Sequence, residues 1–441
     1  MTPMMRCLTI LFAVVVTANV ALQPAQAQLQ GTVQGGQIDP LPMAVTPFIA
    51  DANSGDAAAS VADIVANDLG STGYFNPLPR ESFVEQITNF DQEPRFSDWR
   101  QIQAKALVTG QVTMAGDKMQ VSFKVFDVNS QQMLAGQSFA AGSKNVRRIG
   151  HKISDMIYKA LTGYDGYFDT RVVFIDESGP KNQRVKKLAI MDQDGFNPRT
   201  LPVSGDLILT PRFSPNSLEV TFMSFGTGSP RVYIYNIETN QKEIVGDFPN
   251  MSFAPRFTPD GNGVVMSLQS DDGRNSNIYD MDLRSRQLHQ LTDTPAINTA
   301  PSVSPDGGRV AFESDRGGTQ QIYMMNADGS GQTRISFGKG RYSTPVWSPD
   351  GKWIAFTKQA GGKFSIGVMA PDGSGERILT EGFHNEGPTW SPNSRVIMFF
   401  RESGGEQGGP QLFSVDISGY NERKVKTPGF ASDPAWSPRL N

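Results

Sequence analysis

Cysteine is nearly missing from this 441-residue chain; the one copy, Cys7, stands at the extreme N-terminus. That excludes a disulfide framework, and with it any cysteine-based metal site deeper in the chain. Histidine is scarce as well. His151, His289 and His384 fall in different predicted elements with no i, i+4 pair, so zinc-ligand spacing is absent and no metal or cofactor is expected. No phosphate-cradling GxxxxGK[ST] string occurs. Neither sign of charge dominates: 40 Lys and Arg stand against 44 Asp and Glu, a formal net charge of −4. Such a balance offers no basic field for nucleic acid or an anionic membrane. Beyond the N-terminus no apolar run is long enough to span a bilayer. What the chain does have is turn residues, 44 Gly and 29 Pro, with 38% hydrophobic and 19% charged residues. This is the composition of a turn-rich globular protein that leans toward β structure.

Residues 1–27 read as a secretory signal peptide. Arg6 supplies a positive start, CLTILFAVVVTANVAL an apolar core, and Ala25-Gln26-Ala27 a small-x-small site with cleavage after Ala27. The core is interrupted by Thr17 and Asn19 and is shorter than the roughly 20 apolar residues of an anchor. Removal of this leader takes Cys7 with it, so the mature chain has no thiol and is expected to be exported and not membrane-embedded.

One phrase repeats. PRFSPNS starts at Pro211, PRFTPDG at Pro255, PSVSPDG at Pro301, PVWSPDG at Pro345 and PTWSPNS at Pro388. A sixth copy, PAWSPRL, starts at Pro434. A period of about 40–50 residues with several short strands per unit is the signature of a β-propeller. Ser-Pro-Asp-Gly is turn chemistry, with Pro fixing φ and Gly tolerating positive φ. Hairpin turns recur at MDQDGFN (191), YNIETNQ (235), MDLRSRQ (281), MNADGSG (325) and VDISGYN (415). TRVVFIDES at 170 and KKLAIMDQDGFNPRTLP at 187 look like the later strands of a blade that lacks its first strand. The final PAWSPRLN is a first strand with nothing after it, so the C-terminal strand is expected to complete the sixth blade.

Ahead of the ring, residues 28–37 (QLQGTVQGGQ) read as a flexible arm and 38–165 as a small α/β domain. LPMAVTPF, KALVTGQVTM, KMQVSFKVFDV and QQMLAGQSFA pattern as strands. Two stretches pattern as amphipathic helices. One places Val61, Ile64, Val65 and Leu69 inward, the other Ile149, Ile153, Met156, Ile157 and Leu161. The propeller then spans 166–441, and the fold class is mixed: an N-terminal α/β domain followed by an all-β six-bladed propeller.

Catalysis finds little support. The nearest string to a nucleophile elbow, Gly136-Gln137-Ser138-Phe139-Ala140, lacks the last Gly and lies in a predicted strand. The Asp of the repeated phrase (Asp260, Asp306, Asp350) is exchanged for Asn216, Asn393 and Arg439, which a turn tolerates and an acid–base group does not. Asp192 and Asp194 beside Gly195 read as a hairpin turn rather than a calcium loop, because the EF-hand spacing is absent. Function is expected instead in the unlike stretches that precede each phrase, since loops on a rigid frame carry binding. Phe253, Tyr342, Phe383 and Phe430 are candidate aromatic anchors there. A secreted propeller enzyme or a glycan-binding propeller is the alternative, as is a general scaffold.

PMAVTPF, VANDLGSTGYFNPLP, ALVTGQV and HKISDMIYKALTG, followed by six such blades ending in PAWSPRL, resemble the TolB family. Those are the periplasmic propeller components of the Tol-Pal system, and the likeness runs from about residue 38 to the end. The resemblance implies a monomeric, non-enzymatic adaptor in the periplasm that supports outer-membrane integrity and constriction during cell division. It implies that the lipoprotein Pal binds the propeller mouth through Ser252, Phe253, Asn298, Thr299, Tyr342, Ser343, His384, Asn385, Glu386 and Asp433. It also implies that the C-terminal domain of TolA binds the arm through Gln28, Leu29, Val33 and Ile38. In some relatives bacteriocins use the same mouth. Asn250-Met251-Ser252-Phe253 stands where some relatives carry a histidine, and the arm is less β-prone than theirs.

Overall fold

A computed structural model of the chain describes residues 33–34, 37–203, 207–226, 229–405 and 408–440. Six four-stranded antiparallel sheets form the propeller among these residues. Blade 1 is built from Arg171–Ser178, Val185–Asp192 and Arg199–Thr200, with the C-terminal strand Phe430–Trp436 added on the inner side of Arg171–Ser178. Blades 2 to 6 follow in chain order, with inner strands Ile208–Phe213, Ser252–Phe257, Asn298–Val303, Arg341–Trp347 and Asn385–Trp390. Closure by the C-terminal strand is therefore as the phrase count requires.

The phrase itself is a turn locked by side chains. Ser348 Oγ donates to Asp350 Oδ1 at 2.7 Å, and the same Oδ1 accepts the Lys352 amide at 3.2 Å. Ser348 Oγ in turn accepts the Trp353 amide at 2.9 Å, while Gly351 takes φ +70°. In blade 6 Asn393 does the work of the Asp: its Oδ1 accepts from Ser391 Oγ at 2.8 Å and from the Arg395 amide at 3.1 Å. A single acceptor oxygen is all the turn needs, which is why Asp and Asn exchange freely there.

In the N-terminal domain the sheet order is Phe75–Pro77, Leu41–Val45, Ala106–Ala115, Lys118–Asp127, Met133–Gly142. Helices α1 (Gly55–Ser71) and α3 (Val146–Thr162) pack on one face; the short α2 (Phe96–Gln101) covers the other with Phe96 and Trp99. The expected inward residues of α1 and α3 are buried, except Met156, which is half-buried. α3 ends at Gly163, whose φ of +77° lets its amide reach Lys159 O at 2.9 Å. In the arm, Val33–Gln34 pairs antiparallel with Gln37–Ile38.

The two domains share one apolar cluster. Tyr158 of α3 packs edge-on against Phe168 and Tyr167 of the connection, and Tyr167 against Trp436 of the closing strand (5.7 Å). Trp436 Nε1 donates to Thr170 Oγ1 at 2.8 Å. Asp155 accepts the amides of Phe168 and Asp169 at 2.7 and 3.2 Å, and burial pushes its carboxyl up to about 7. The approach is so close that a Cβ on Gly166 would lie 2.2 Å from Asp155 Oδ1.

Trp436→Ala should cost about 3–5 kcal/mol, as other large buried aromatics do. Deletion of 433–441 should destabilise both ring and domain contact. Thermal unfolding of the two variants checks this, and unchanged cooperative melting of the truncated chain would show that the ring does not depend on its last strand.

Candidate functional site

In every blade the inner strand slips register just before the first Pro of the phrase, between Leu209/Arg212, Phe253/Arg256, Thr299/Ser302, Ser343/Val346, Glu386/Thr389 and Ser432/Ala435. The residue before that Pro is left-handed in all six: Thr210, Ala254, Ala300, Thr344, Gly387 and Asp433 have φ between +48° and +65°. One of the six is glycine. For the others that conformation costs roughly 1 kcal/mol or more apiece, a strain kept by the surrounding ladder. The bulge bends the strand and re-aims the side chains upstream of it.

Period-2 alternation then divides the expected site in two. Three positions before each Pro stand Ile208, Ser252, Asn298, Tyr342, Asn385 and Ala431, all at most 1% exposed. Four of these, Ser252, Asn298, Tyr342 and Asn385, are expected contact residues; all four are buried, and their side-chain polar atoms other than Asn385 Nδ2 bond within the protein. Ser252 Oγ accepts the Val232 amide at 3.1 Å, and Asn298 Nδ2 donates to Thr294 Oγ1 at 2.8 Å. Asn298 Oδ1 accepts from Arg316 at 2.7 Å and Asn385 Oδ1 from Arg401 at 2.8 Å. The Tyr342 hydroxyl donates to Glu376 at 2.8 Å. Two positions before Pro stand Leu209, Phe253, Thr299, Ser343 and Glu386, all partly exposed, with blade 1 contributing the buried Ser432. The alternation was available in the sequence; the bulge that sets which set faces out was not.

His384 sits between two carboxylates, with Nε2 2.9 Å from Glu386 and Nδ1 3.2 Å from Glu402, its ring 4.6 Å from that of Phe364. The Glu386 hydrogen bond leads in raising its pKa. Phe383 beside it is 67% exposed, whereas Phe430 is half-buried under the Arg184 guanidinium. Two more acids line the mouth. Burial pushes Glu313 up to about 7, with repulsion from Glu386 and Asp315 adding to it, and its Oε2 accepts the Thr344 amide at 3.3 Å. Burial likewise raises Asp433, opposed by Arg212; its Oδ2 accepts the Thr210 amide. The mouth thus presents unlike side chains over an acidic interior.

Among the described residues one group has metal-ligand composition, Asp68, His151 and Asp194. Arg147 already fills it: its guanidinium lies 2.6 Å from Asp194, 2.9 Å from Asp192 and 3.2 Å from His151 Nε2, while His151 Nδ1 meets Asp68 at 2.7 Å. A cation would compete with that guanidinium, so the cluster reads as a charge network tying α1 and α3 to the Asp192–Asp194 hairpin of blade 1. Sequence inspection found the hairpin and missed its partner. Ser138 lies within the strand Met133–Gly142, its Oγ 2.6 Å from that of Ser122, and forms no nucleophile elbow. Of the expected arm residues, Val33 and Ile38 are register partners. Gln28, Leu29 and the cleavage residues Ala25 and Ala27 lie outside the described residues. No helix among the described residues is long and apolar enough to cross a membrane.

Comparison with known proteins gives two family matches: the TolB amino-terminal domain over residues 30–134 and the TolB beta propeller domain over 158–440. The crystal structure of TolB from Acinetobacter baumannii is 29% identical, superposes with a TM-score of 0.80, and is matched over 91% of this chain and 97% of that one. A putative TolB from Agrobacterium tumefaciens is 21% identical over 58% of this chain and 89% of its own, with a TM-score of 0.46.

Glu313 carries a pH prediction. Its folded pKa is raised above the ordinary 4.5 to about 7, so its contribution is fully present below 4.5 and lost as pH rises through 7. Relative to Glu313→Gln, the native chain should lose stability across that window, by on the order of 2–3 kcal/mol. Thermal melts of both proteins at several pH values measure the difference; parallel curves would contradict a buried, titrating Glu313.

Proposed function

The chain belongs to the TolB family, and from that membership we propose that it is the non-enzymatic adaptor of a Tol-Pal system, binding Pal at the propeller mouth and the C-terminal domain of TolA at the N-terminal arm. In this role it supports outer-membrane integrity and constriction during cell division. Its place is the periplasm, where the family resides, reached by export and cleavage after Ala27. The observation that carries the reading is the contrast at the mouth. Six bulges repeat the same backbone, while the partly exposed positions they present differ: Leu209, Phe253, Thr299, Ser343 and Glu386. A rigid ring displaying unlike side chains recognises a protein partner without needing a catalytic group.

In this reading the Pal-facing set is the partly exposed one, Phe253, Thr299, Ser343, His384, Glu386 and Asp433, with Phe383 as the exposed aromatic. Ser252, Asn298, Tyr342 and Asn385 act behind them by holding the mouth in shape. His384 pins the Glu386 carboxylate from one side, so the charge that Pal would meet is positioned before contact.

Thr299→Trp and Glu386→Arg should each weaken Pal binding about tenfold or more with the melting temperature unchanged. Titration calorimetry with purified Pal tests this, and wild-type affinity in both variants would refute the mouth assignment. Removal of residues 28–38 should abolish binding of the TolA domain in the same assay and leave the folded ring intact. Full retention of TolA binding would exclude the arm as its site.

A further inference from the structure

Below the mouth, the position after the first Pro of each phrase forms a second ring: Arg212, Arg256, Ser302, Val346, Thr389 and Ala435. All six line one cavity of about 450 Å³ on the propeller axis, together with the second Pro of every phrase. It opens on the face made by the Ser/Thr-Pro turns. Arg212 and Arg256 occupy equivalent places in adjacent blades, so two guanidiniums face one narrow space.

Their charges are poorly compensated. Among the described residues the Arg256 guanidinium makes no hydrogen bond and no ion pair, and the Arg212 guanidinium makes one hydrogen bond, to its neighbour's carbonyl, Pro211 O, at 2.6 Å. Asp433 acts on Arg212 from the bulge above without forming an ion pair. Burial lowers the pKa of both arginines, and Arg212 adds repulsion at Arg256. Donors are in surplus as well. Ser302 Oγ and Thr389 Oγ1 each accept an amide, from Trp347 and Trp436 at 3.1 Å, which leaves their hydroxyl hydrogens uncommitted. Both arginines are partly exposed to the channel, where two like charges held side by side repel unless an anion meets them.

We propose that the axial channel is an oxyanion site, in which a carboxylate or phosphate group bridges Arg212 and Arg256 and is completed by the hydroxyls of Ser302 and Thr389. The two arginines are donor forks suited to such groups, and the cavity has room for a phosphate or a small dicarboxylate. The acidic mouth (Glu313, Glu386, Asp433) lies on the other side of the bulges, so the axis carries opposite charge at its two levels.

Titration calorimetry of the mature chain with inorganic phosphate and with succinate, at constant ionic strength against chloride, tests the site. Saturable binding of phosphate, succinate or both is expected, the two arms telling which oxyanion is preferred. Arg256→Gln should weaken it at least about tenfold, with Arg256→Lys intermediate. If Arg256→Gln does not fold, the double change Ser302→Ala/Thr389→Val gives the second reading of the same loss. No saturable binding of either anion to the wild-type chain, or equal binding by the variants, overturns the proposal.

Discussion

Closure of the ring by its last strand is the constraint on which the other features rest. A propeller has no stable open form, because each sheet buries its faces only against neighbours, and the first blade here lacks an inner strand until residues 430–436 arrive. Trp436 joins that event to the other domain, since its ring meets Tyr167 and its N–H meets Thr170. The same strand brings Asp433 to the mouth and Ala435 to the channel. Ring closure, domain docking and completion of the axis are thus one packing event.

The six bulges convert this closed ring into two functional levels. Upstream of five of the six bulges the strand presents a half-exposed side chain to the mouth, and upstream of all six it hides the residue before that position. Downstream it turns one residue into the channel. Because the backbone is nearly the same six times, chemistry at each level is decided by single residues, acidic and varied above, basic at Arg212 and Arg256 below. The strain of five non-glycine left-handed residues is shared around the ring, where every neighbour holds it in place.

Docking of the N-terminal domain uses polar contacts that no local pattern announces. Arg147 reaches Asp192 and Asp194, Asn393 Nδ2 donates to Asp165 O, and Arg439 pairs with Asp165. Two of these come from departures within the repeat, the Asn at 393 and the Arg at 439, both in the turns nearest the domain. An exchange that looked merely tolerated in the turn therefore also serves the interface. The expected site was legible to the level of the loop, because unlike residues stand out against a repeated frame. It was not legible to the level of the side chain: Ser252, Asn298, Tyr342 and Asn385 are adjacent in sequence to the exposed set and point the other way.

The amino-acid sequence by itself determined the number of blades, the turn that starts each one, the split strand pair that closes the ring, and the two amphipathic helices ahead of it. All of these follow from local chemistry: Pro and Gly dihedrals, Asx acceptors, and apolar periods of two and 3.6. Only the tertiary structure decided which face of each inner strand the bulge turns outward, which carboxylates meet Arg147, and that two arginines 44 residues apart share one channel. Those depend on register and on contacts between distant segments, and a one-residue slip in register would exchange every inward side chain for an outward one.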